Sequence, residues 1–556
     1  MMCSLKSISR ILFCFIFIFC IPPLMKAGSV HISGKVQDVI TANELADVKI
    51  FITDLSDGSV DSAVTNASGM WEHNLEVTSI AEDDQLPKDF YVSRNYPNPF
   101  NPSTKIDIAV PEAGEISLTI YNILGSIVDT YKEYLIPGRY SIDWHARGSA
   151  GIYFLNIKSG NKSVTRKMTL LDGGYGKGFS GFYSSVMNAG SNEKLLKNSA
   201  AVPIIIQTSK FGYIDSTLHT DVSGGEFFEF KIETIHSASI LADMHNDILE
   251  KMIDAPGYHL ADYHTYNHTD IPRLQSGGVD VQLFVVWVSP SSHLHDSYNH
   301  AMAMINIFEN EIAWNPETIG QARTKTEALA LNNDNKIAAV LCVEGGHAIE
   351  NDITKLKALY QKGMRYLTIT WNNSLDWAVS AQDSRSASVG LSDFGRKVIR
   401  TLDTLGVMID VSHVGIKTIE DILAVTKNPI IASHSGVRSI RNHYRNLYDN
   451  QILAIAASGG VIGVVFYPPF LSSSGTAYID DVADHIDHIV DLAGIDYAGL
   501  GSDFDGIGTN TVNGLDDVTK FPDLTLELLE RGYSQADVEK ILGGNFMRVF
   551  EQVCGE

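Results

Sequence analysis

Five short apolar runs in the C-terminal half of this chain each end in a side chain able to bind a metal or move a proton. They are Ile240-Leu-Ala-Asp-Met-His245-Asn-Asp247, Ala338-Ala-Val-Leu-Cys-Val-Glu344, Val407-Met-Ile-Asp-Val-Ser-His413, Pro429-Ile-Ile-Ala-Ser-His434 and Tyr497-Ala-Gly-Leu-Gly-Ser-Asp503. His245 and Asp247 flank one residue, so on an extended strand both project to the same side and can share a cation. Glu344 offers two oxygens, which suits a carboxylate that bridges two metals about 3.5–4 Å apart. Gly345 and Gly346 after it leave room for backbone or ligand to approach. His413 and His434 supply nitrogen donors from neighbouring runs. Asp503, facing an activated water, would act as the acid–base group, whereas Asp505 lies beyond its run and is read as ordering the loop. Polar residues in this series, each closing a buried segment, point to a catalytic metal centre.

Such a centre needs a scaffold that brings five segment ends to one place. Strand-length runs at 240–245, 279–288, 338–344, 366–371, 407–413, 429–434, 461–466 and 497–503 alternate with amphipathic stretches of helical length. In one of these, Phe394, Val398, Ile399, Leu402 and Leu405 share a face, with Ser392 as N-cap and Gly406 just past the end. Eight parallel-type strands in roughly 320 residues predict an α/β (β/α)8 TIM barrel, assigned to 239–556, whose chemistry sits at the C-terminal strand ends.

The whole chain has 556 residues, too many for one core, so a multidomain protein is expected. Hydrophobic and charged fractions of 44% and 19% are those of globular protein. A net charge of -24 opposes nucleic acid or an anionic membrane surface as partner. Lys6 and Arg10 precede an apolar run from Ile11 to Ile21, followed by Pro22, Pro23 and Ala27, which reads as a secretory signal over 1–27 cleaved after Ala27. The expected location is therefore exported: periplasm, cell surface or extracellular. Cys3, Cys14 and Cys20 would leave with the signal, and Cys342 and Cys554 alone make no disulfide framework. Cys342, on an apolar run, is read as a core thiol.

Ahead of the barrel the pattern is all-β. His31-Ile-Ser-Gly-Lys-Val36, Val48-Lys-Ile-Phe-Ile52 and the turn Thr65-Asn-Ala-Ser-Gly69-Met-Trp71 resemble the carboxypeptidase-regulatory-like β-sandwich, assigned to 28–86. Asn95-Tyr-Pro-Asn-Pro-Phe100-Asn-Pro-Ser-Thr-Lys-Ile106, with strand patterns at 116–120 and 151–154, resembles the Ig-like sorting domain of type IX secretion substrates. That domain is assigned to 87–172, and the resemblance implies secretion machinery as a partner. Gly173-Gly-Tyr-Gly-Lys-Gly178 and the polar stretch to Asn198 read as a flexible linker. Val202-Pro-Ile-Ile-Ile206 and Phe227-Phe-Glu-Phe-Lys-Ile232 return to strand patterning, so 173–238 is taken as linker plus strands that complete the first sandwich.

The barrel resembles the membrane (renal) dipeptidase family of zinc peptidases from Ile240 to Val553. The resemblance is carried, in order, by Asp270-Ile-Pro-Arg-Leu-Gln-Ser-Gly-Gly-Val-Asp-Val-Gln, Glu344-Gly-Gly-His-Ala, Ile409-Asp-Val-Ser-His413, Ala432-Ser-His-Ser, Tyr444-Arg-Asn-Leu, Gly460-Val-Ile-Gly-Val and Gly499-Leu-Gly-Ser-Asp-Phe-Asp-Gly506. It implies hydrolysis of dipeptides by a metal-activated hydroxide and two divalent metal ions, Zn2+. His245 and Asp247 would bind one, His413 and His434 the other, and Glu344 would bridge. It further implies Asp503 as catalytic acid–base, Arg445 as partner of the substrate's C-terminal carboxylate, and a homodimer. A planar guanidinium suits that carboxylate because it can hold it bidentately. One position departs from the family: Trp371 stands where the renal enzymes place a substrate-contacting histidine. An indole neither accepts a proton nor binds metal, so carbonyl polarisation would rest more heavily on the metal. Two other readings keep the same residues, another binuclear-metal amidohydrolase and a surface binding protein with an inactive barrel.

Overall fold

The computed structural model describes residues 28–55, 58–77, 87, 89–160, 162–171, 174–184, 202–293 and 295–555. The expected signal over 1–27 and the 185–201 part of the expected linker lie outside them.

Eight parallel strands form a closed ring: β1 (Ala242–Asn246), β2 (Val281–Trp287), β3 (Ile337–Glu344), β4 (Tyr366–Thr368), β5 (Met408–Asp410), β6 (Ile430–Ser435), β7 (Val461–Val464) and β8 (Ala498–Leu500). Each pairs with its neighbours in chain order, and β1 pairs with β8 to close the circle. Successive side chains on a strand point to opposite faces, so each strand feeds two apolar layers. Val281, Leu283 and Val285 of β2 and Ala338, Val340 and Cys342 of β3 join one cluster. Phe284 and Val286, with Ala339, Leu341 and Val343, join a second that also holds helix residues such as Val398, Ile399 and Leu402. Burial of each valine, leucine or phenylalanine among them stabilises the fold by about 1.5–3 kcal/mol, which is why near-continuous apolar runs make these strands.

One end of the barrel is closed by the C-terminal helix Asn545–Cys554, whose Phe546 and Phe550 pack with the first cluster. Its polar side chains bond backbone at strand starts: Asn545 donates to Ala498 O at 2.8 Å and Arg548 to Gly460 O at 3.1 Å. The helix Asp393–Leu405 has the caps its sequence predicts, with Ser392 accepting from Gly395 N and Gly406 turning at φ 68°. Cys342 is fully buried, and burial holds its thiol well above the ordinary range, as befits an inert core residue.

The ladders are shorter than the apolar runs. β5 stops at Asp410 and β8 at Leu500, and the chain then turns through left-handed backbone at His413 (φ 66°) and Asp503 (φ 61°). Asp247, expected on an extended strand beside His245, instead sits at the N-cap of the helix Ile248–Asp254 with φ -99° and ψ 20°. A strand that pairs on both sides holds its side chains to the pleat, so residues that must converge on one point leave the ladder first. A short additional strand, Ile319–Gln321, pairs with the start of β3. Three residues with one fully buried apolar side chain carry too little pattern to reveal a strand in sequence.

Before the barrel, Gly28–Asp38 lies between Glu226–Ile232 and Met70–Val77 in one sheet, and Val202–Ser209 lies between Ser216–Val222 and Lys49–Asp54 in another. Among the described residues, those within 31–73 and 203–555 form one compact unit, and those within 28–30 and 74–202 form a second. The second unit holds two four-stranded sheets around Ile106, Leu118, Ile142, Trp144 and Leu155. Gly174–Ser184, read from its glycines as linker, is an extended strand antiparallel to Gly138–Gly148. Phe179 explains why: its ring packs 6.4 Å from Trp144 and 5.9 Å from Tyr131, an apolar anchor within the glycines.

Where β6 and β8 flank β7, Gly501 lies against Ser433, and a Cβ there would stand 1.8 Å from Ser433 O. Gly501→Ala is expected to destabilise the protein by about 1–3 kcal/mol, read as a lowered denaturant midpoint of the barrel. An unchanged midpoint would show that the close approach carries no stability.

Candidate metal and catalytic centre

The strand ends bring His245, Asp247, Glu344, His413, His434 and Asp503 to one place at the end of the barrel opposite the C-terminal helix. His245 Nε2 lies 3.5 Å from Asp247 Oδ2, 3.7 Å from Glu344 Oε2 and 4.0 Å from Asp503 Oδ1. His413 Nε2 lies 2.9 Å from Glu344 Oε1 and 3.1 Å from His434 Nε2, and His434 Nε2 is 3.5 Å from Glu344 Oε1. Glu344 thus turns one oxygen to His245 and the other to the His413–His434 pair. Potential ligand atoms of His245, Glu344 and His434 fall within 4.8 Å of one another, as do those of His245, Asp247 and Asp503.

Each imidazole is oriented through its other nitrogen. Asn372 Oδ1 is 2.9 Å from His413 Nδ1; an amide oxygen only accepts, so Nδ1 carries the proton and Nε2 keeps its lone pair. Ser433 Oγ is 2.8 Å from His434 Nδ1 and donates its own proton to Asp410 Oδ2 at 2.7 Å, so it accepts from the ring. Tyr366 Oη contacts His245 Nδ1 at 2.7 Å. Asp410 also accepts from Thr368 Oγ1 and from the backbone of Ser412 and Ser433, which joins β4, β5 and β6. Asp243 does the same for β1, β2 and β8, accepting from Gln282 Nε2, Ser502 Oγ and Ser502 N.

Sequence reasoning passed over Asn372, Tyr366, Ser433, Asp410 and Asp243. A signal for part of this network was present: a serine directly precedes His413, His434 and Asp503, as Ser412, Ser433 and Ser502. All three are fully buried. Asp505 orders its loop, accepting from His268 N at 2.8 Å while its own N–H donates to His268 Nδ1. Gly346 makes room for protein, since a Cβ there would meet the Trp377 ring at 2.4 Å.

The electrostatics are those of charge crowded into a dry space. Burial pushes the Glu344 carboxyl well above its ordinary range and that of Asp503 up to about 7, with the Asp247 charge adding to both. Burial and the nearby Arg445 and His245 charges hold His413 and His434 well below the usual imidazole range. Burial also disfavours the His245 imidazolium, but Asp247, Glu344 and Asp503 outweigh it and raise the group to about 10. His245 Nε2, Asp247 Oδ1 and Glu344 Oε1 are buried without a hydrogen-bond partner. Orphaned imidazole and carboxylate atoms facing one another are a donor set that fits divalent cations.

Arg445 is 3% exposed, in the loop after β6. Its Nη2 donates to His434 O at 3.0 Å, its guanidinium lies 5.3 Å from the Phe470 ring, and its buried Nε has no hydrogen-bond partner. A cavity of about 210 Å³ beside it is lined by Ser384, Ser386, His413, Arg438, Tyr444 and Arg445. Trp371 lies in the loop after β4, its ring 6.1 Å from that of His413.

Residues 94–170 match the model of the secretion system C-terminal sorting domain, and residues 229–555 that of the membrane dipeptidase family, peptidase family M19. Dipeptidase 3 of Mus musculus is 33% identical over 321 residues, 56% of this chain. The chain spans 64% of that relative's length. Dipeptidase verJ of Clonostachys rogersoniana is 35% identical over 297 residues, 51% of this chain and 76% of its own. The structure of a metallo peptidase from Rhodobacter sphaeroides, liganded with a phosphinate mimic of the dipeptide L-Ala-D-Ala, is 26% identical with a TM-score of 0.53, over 57% of this chain and 99% of that one. A dipeptidase structure described as a metallo peptidase of family M19 gives a TM-score of 0.54 at 25% identity, again over 57% of this chain and 99% of that one. The match of more than half the chain falls on the segment that folds as the barrel and gathers these imidazoles and carboxylates, and the protein accordingly belongs to the membrane dipeptidase family, peptidase family M19.

Proposed function

We propose that this protein is an exported dipeptidase whose barrel holds two divalent ions, Zn2+ by the character of its donors. The observation that carries the proposal is the division of Glu344, with Oε2 toward His245 and Oε1 toward His413 and His434. In this reading His245 and Asp247 would hold one ion and His413 and His434 the other, with Glu344 a ligand available to both. Bound there, the ions would activate a water and polarise the scissile carbonyl.

The chain's own residues do the rest. Asp503, on left-handed backbone just beyond β8, accepts the proton of the attacking water and returns it to the leaving amine. Arg445 has one nitrogen committed to His434 O and another buried without partner, so an edge of the guanidinium is left for the free carboxylate of the substrate. An anchor one residue from the scissile bond directs cleavage to the last peptide bond before a free C-terminus, the bond a dipeptide offers. Trp371 supplies part of the wall against which the substrate rests. The sorting-domain match at 94–170 and the apolar N-terminal run support export by a dedicated secretion system. No helix among the described residues is long and apolar enough to cross a membrane.

Dipeptide hydrolysis and metal content, measured together on the purified protein, test the assignment. Asp503→Asn is expected to lower kcat by about 10²–10⁴ with the metal retained, whereas Glu344→Gln is expected to lose metal and activity together. Full activity in either variant would remove that residue from its role. Amidation of the dipeptide's C-terminus should raise KM sharply in the wild type and change little in Arg445→Ala; equal sensitivity in both would show that Arg445 does not hold the carboxylate.

Metal removal should also set a pH trend. In the metal-free fold His245 is raised to about 10 from 6.5, so its stabilisation is complete below the unfolded value and is lost as pH rises through that window. The raised Asp503 carboxyl acts in the same direction below its own value of about 7, because the unfolded chain ionises it first. After chelation the thermal midpoint should therefore fall between about pH 7 and 9, and added Zn2+ should restore more of it at the higher pH. A midpoint that rises with pH after chelation would contradict this assignment of charge.

A further inference from the structure

Trp287 ends β2 and Trp371 lies three residues beyond β4, so their indoles come from either side of the strand that ends in Glu344. The ring centroids are 5.1 Å apart at an interplanar angle of 57°, a V of aromatic surface. In the β2–β3 register Trp287 stands opposite Glu344, and the Trp371 ring lies 6.1 Å from that of His413. The pair therefore borders the strand end that carries Glu344 and the His413 side of the proposed metal centre. Both indoles are half-buried, and Trp287 Nε1 is a buried donor without a partner.

The wall is held in place. Asn372, next to Trp371, accepts from His413 Nδ1 through its side chain and from Ser380 Oγ at 2.8 Å through its carbonyl. Thr370, on the other side, donates to His413 O at 3.2 Å. Ring order then decides what the wall meets. Arg445 follows β6, directly across the eight-strand ring from β2, the strand that Trp287 ends. A dipeptide whose carboxylate lies at Arg445 and whose scissile bond lies at the centre extends its N-terminal residue toward the opposite side of the ring, where Trp287 ends β2 and the Trp371 ring lies against it. This step rests on the dipeptidase reading above.

We infer that Trp287 and Trp371 form the surface that receives the side chain of the substrate's N-terminal residue and selects large apolar or aromatic residues there. Stiff indole faces offer apolar contact with little side-chain freedom to lose. A small or charged residue at that position would leave the V unfilled or place charge against apolar surface.

The test uses the full chain loaded with Zn2+. It measures kcat/KM for Phe-Ala and Gly-Ala, and equilibrium binding of two phosphinate dipeptide mimics that carry benzyl or hydrogen at the N-terminal residue. The wild type is expected to favour the aromatic member of each pair by about tenfold or more, and Trp371→Ala to lower both ratios by about tenfold. Trp371→His and Trp287→Ala should each lower them as well, and these carry the test if Trp371→Ala does not fold. No preference in the wild type, or a preference that survives in all folded variants, overturns the inference. A benzyl preference in binding that the variants lose, without any turnover of either dipeptide, supports the aromatic surface and overturns the dipeptidase reading instead.

Discussion

Three carboxylates and three imidazoles share one nearly dry volume at the mouth of the barrel, and the surrounding structure is arranged around the problem this creates. Glu344 is 2% exposed, and His245 and His434 are 0% and 1% exposed. Charged groups so placed lose their hydration and stay ionised only when an opposite charge or strong hydrogen bonds replace it. The directions in which these groups titrate express that conflict: the Glu344 and Asp503 carboxyls driven up, the His413 and His434 imidazoles driven down, and His245 held protonated by its acidic neighbours. Divalent cations would meet the same demand with one interaction, drawing ionised carboxylates and neutral imidazoles together.

Such a cluster stays ordered only if its members cannot relax away from one another, and the neighbouring strands supply that restraint. Asp410 and Asp243 are fully buried and tie three strands each, so the backbone at the strand ends is cross-linked directly beneath the functional side chains. The left-handed turns at His413 and Asp503 are tolerated on that support. Gly501 allows the backbone near Asp503 to lie against Ser433, the residue that also orients His434. Apolar burial below and hydrogen bonds above therefore act on the same strands: one sets which of them neighbour, the other sets where their ends point.

Around this centre the groups proposed to meet substrate have different physical characters. On the β6 side stands a guanidinium buried against Phe470, with polar capacity to spare. On the β2–β4 side stand two indoles. A peptide laid across the ring would meet charge recognition at one end and apolar contact at the other, with the bond to be broken between them. The sorting-like unit has a core of its own around Trp144, and the proposed chemistry of the centre calls on none of its residues.

The amino-acid sequence by itself determined the parallel barrel, because eight near-continuous apolar runs separated by amphipathic helices allow few other packings. It also marked His245, Asp247, Glu344, His413, His434 and Asp503, since chemically reactive residues at the ends of such runs stand out against an apolar background. Arg445 and Trp371 came to notice through family resemblance and not through their spacing. The supporting residues were not legible. Asp410 and Asp243 sit inside apolar runs, and Asn372 and Tyr366 lie 41 and 121 positions from the histidines they orient, so their partners exist only once the ring has closed. Tertiary structure likewise decided that Gly174–Ser184 is a strand, through the seat Phe179 finds beside Trp144, and that Asp247 begins a helix instead of ending a strand. Local pattern reports what a residue prefers to be near; only the closed ring specifies which atoms meet, because hydrogen bonds and charge pairs depend on distances that chain position does not encode.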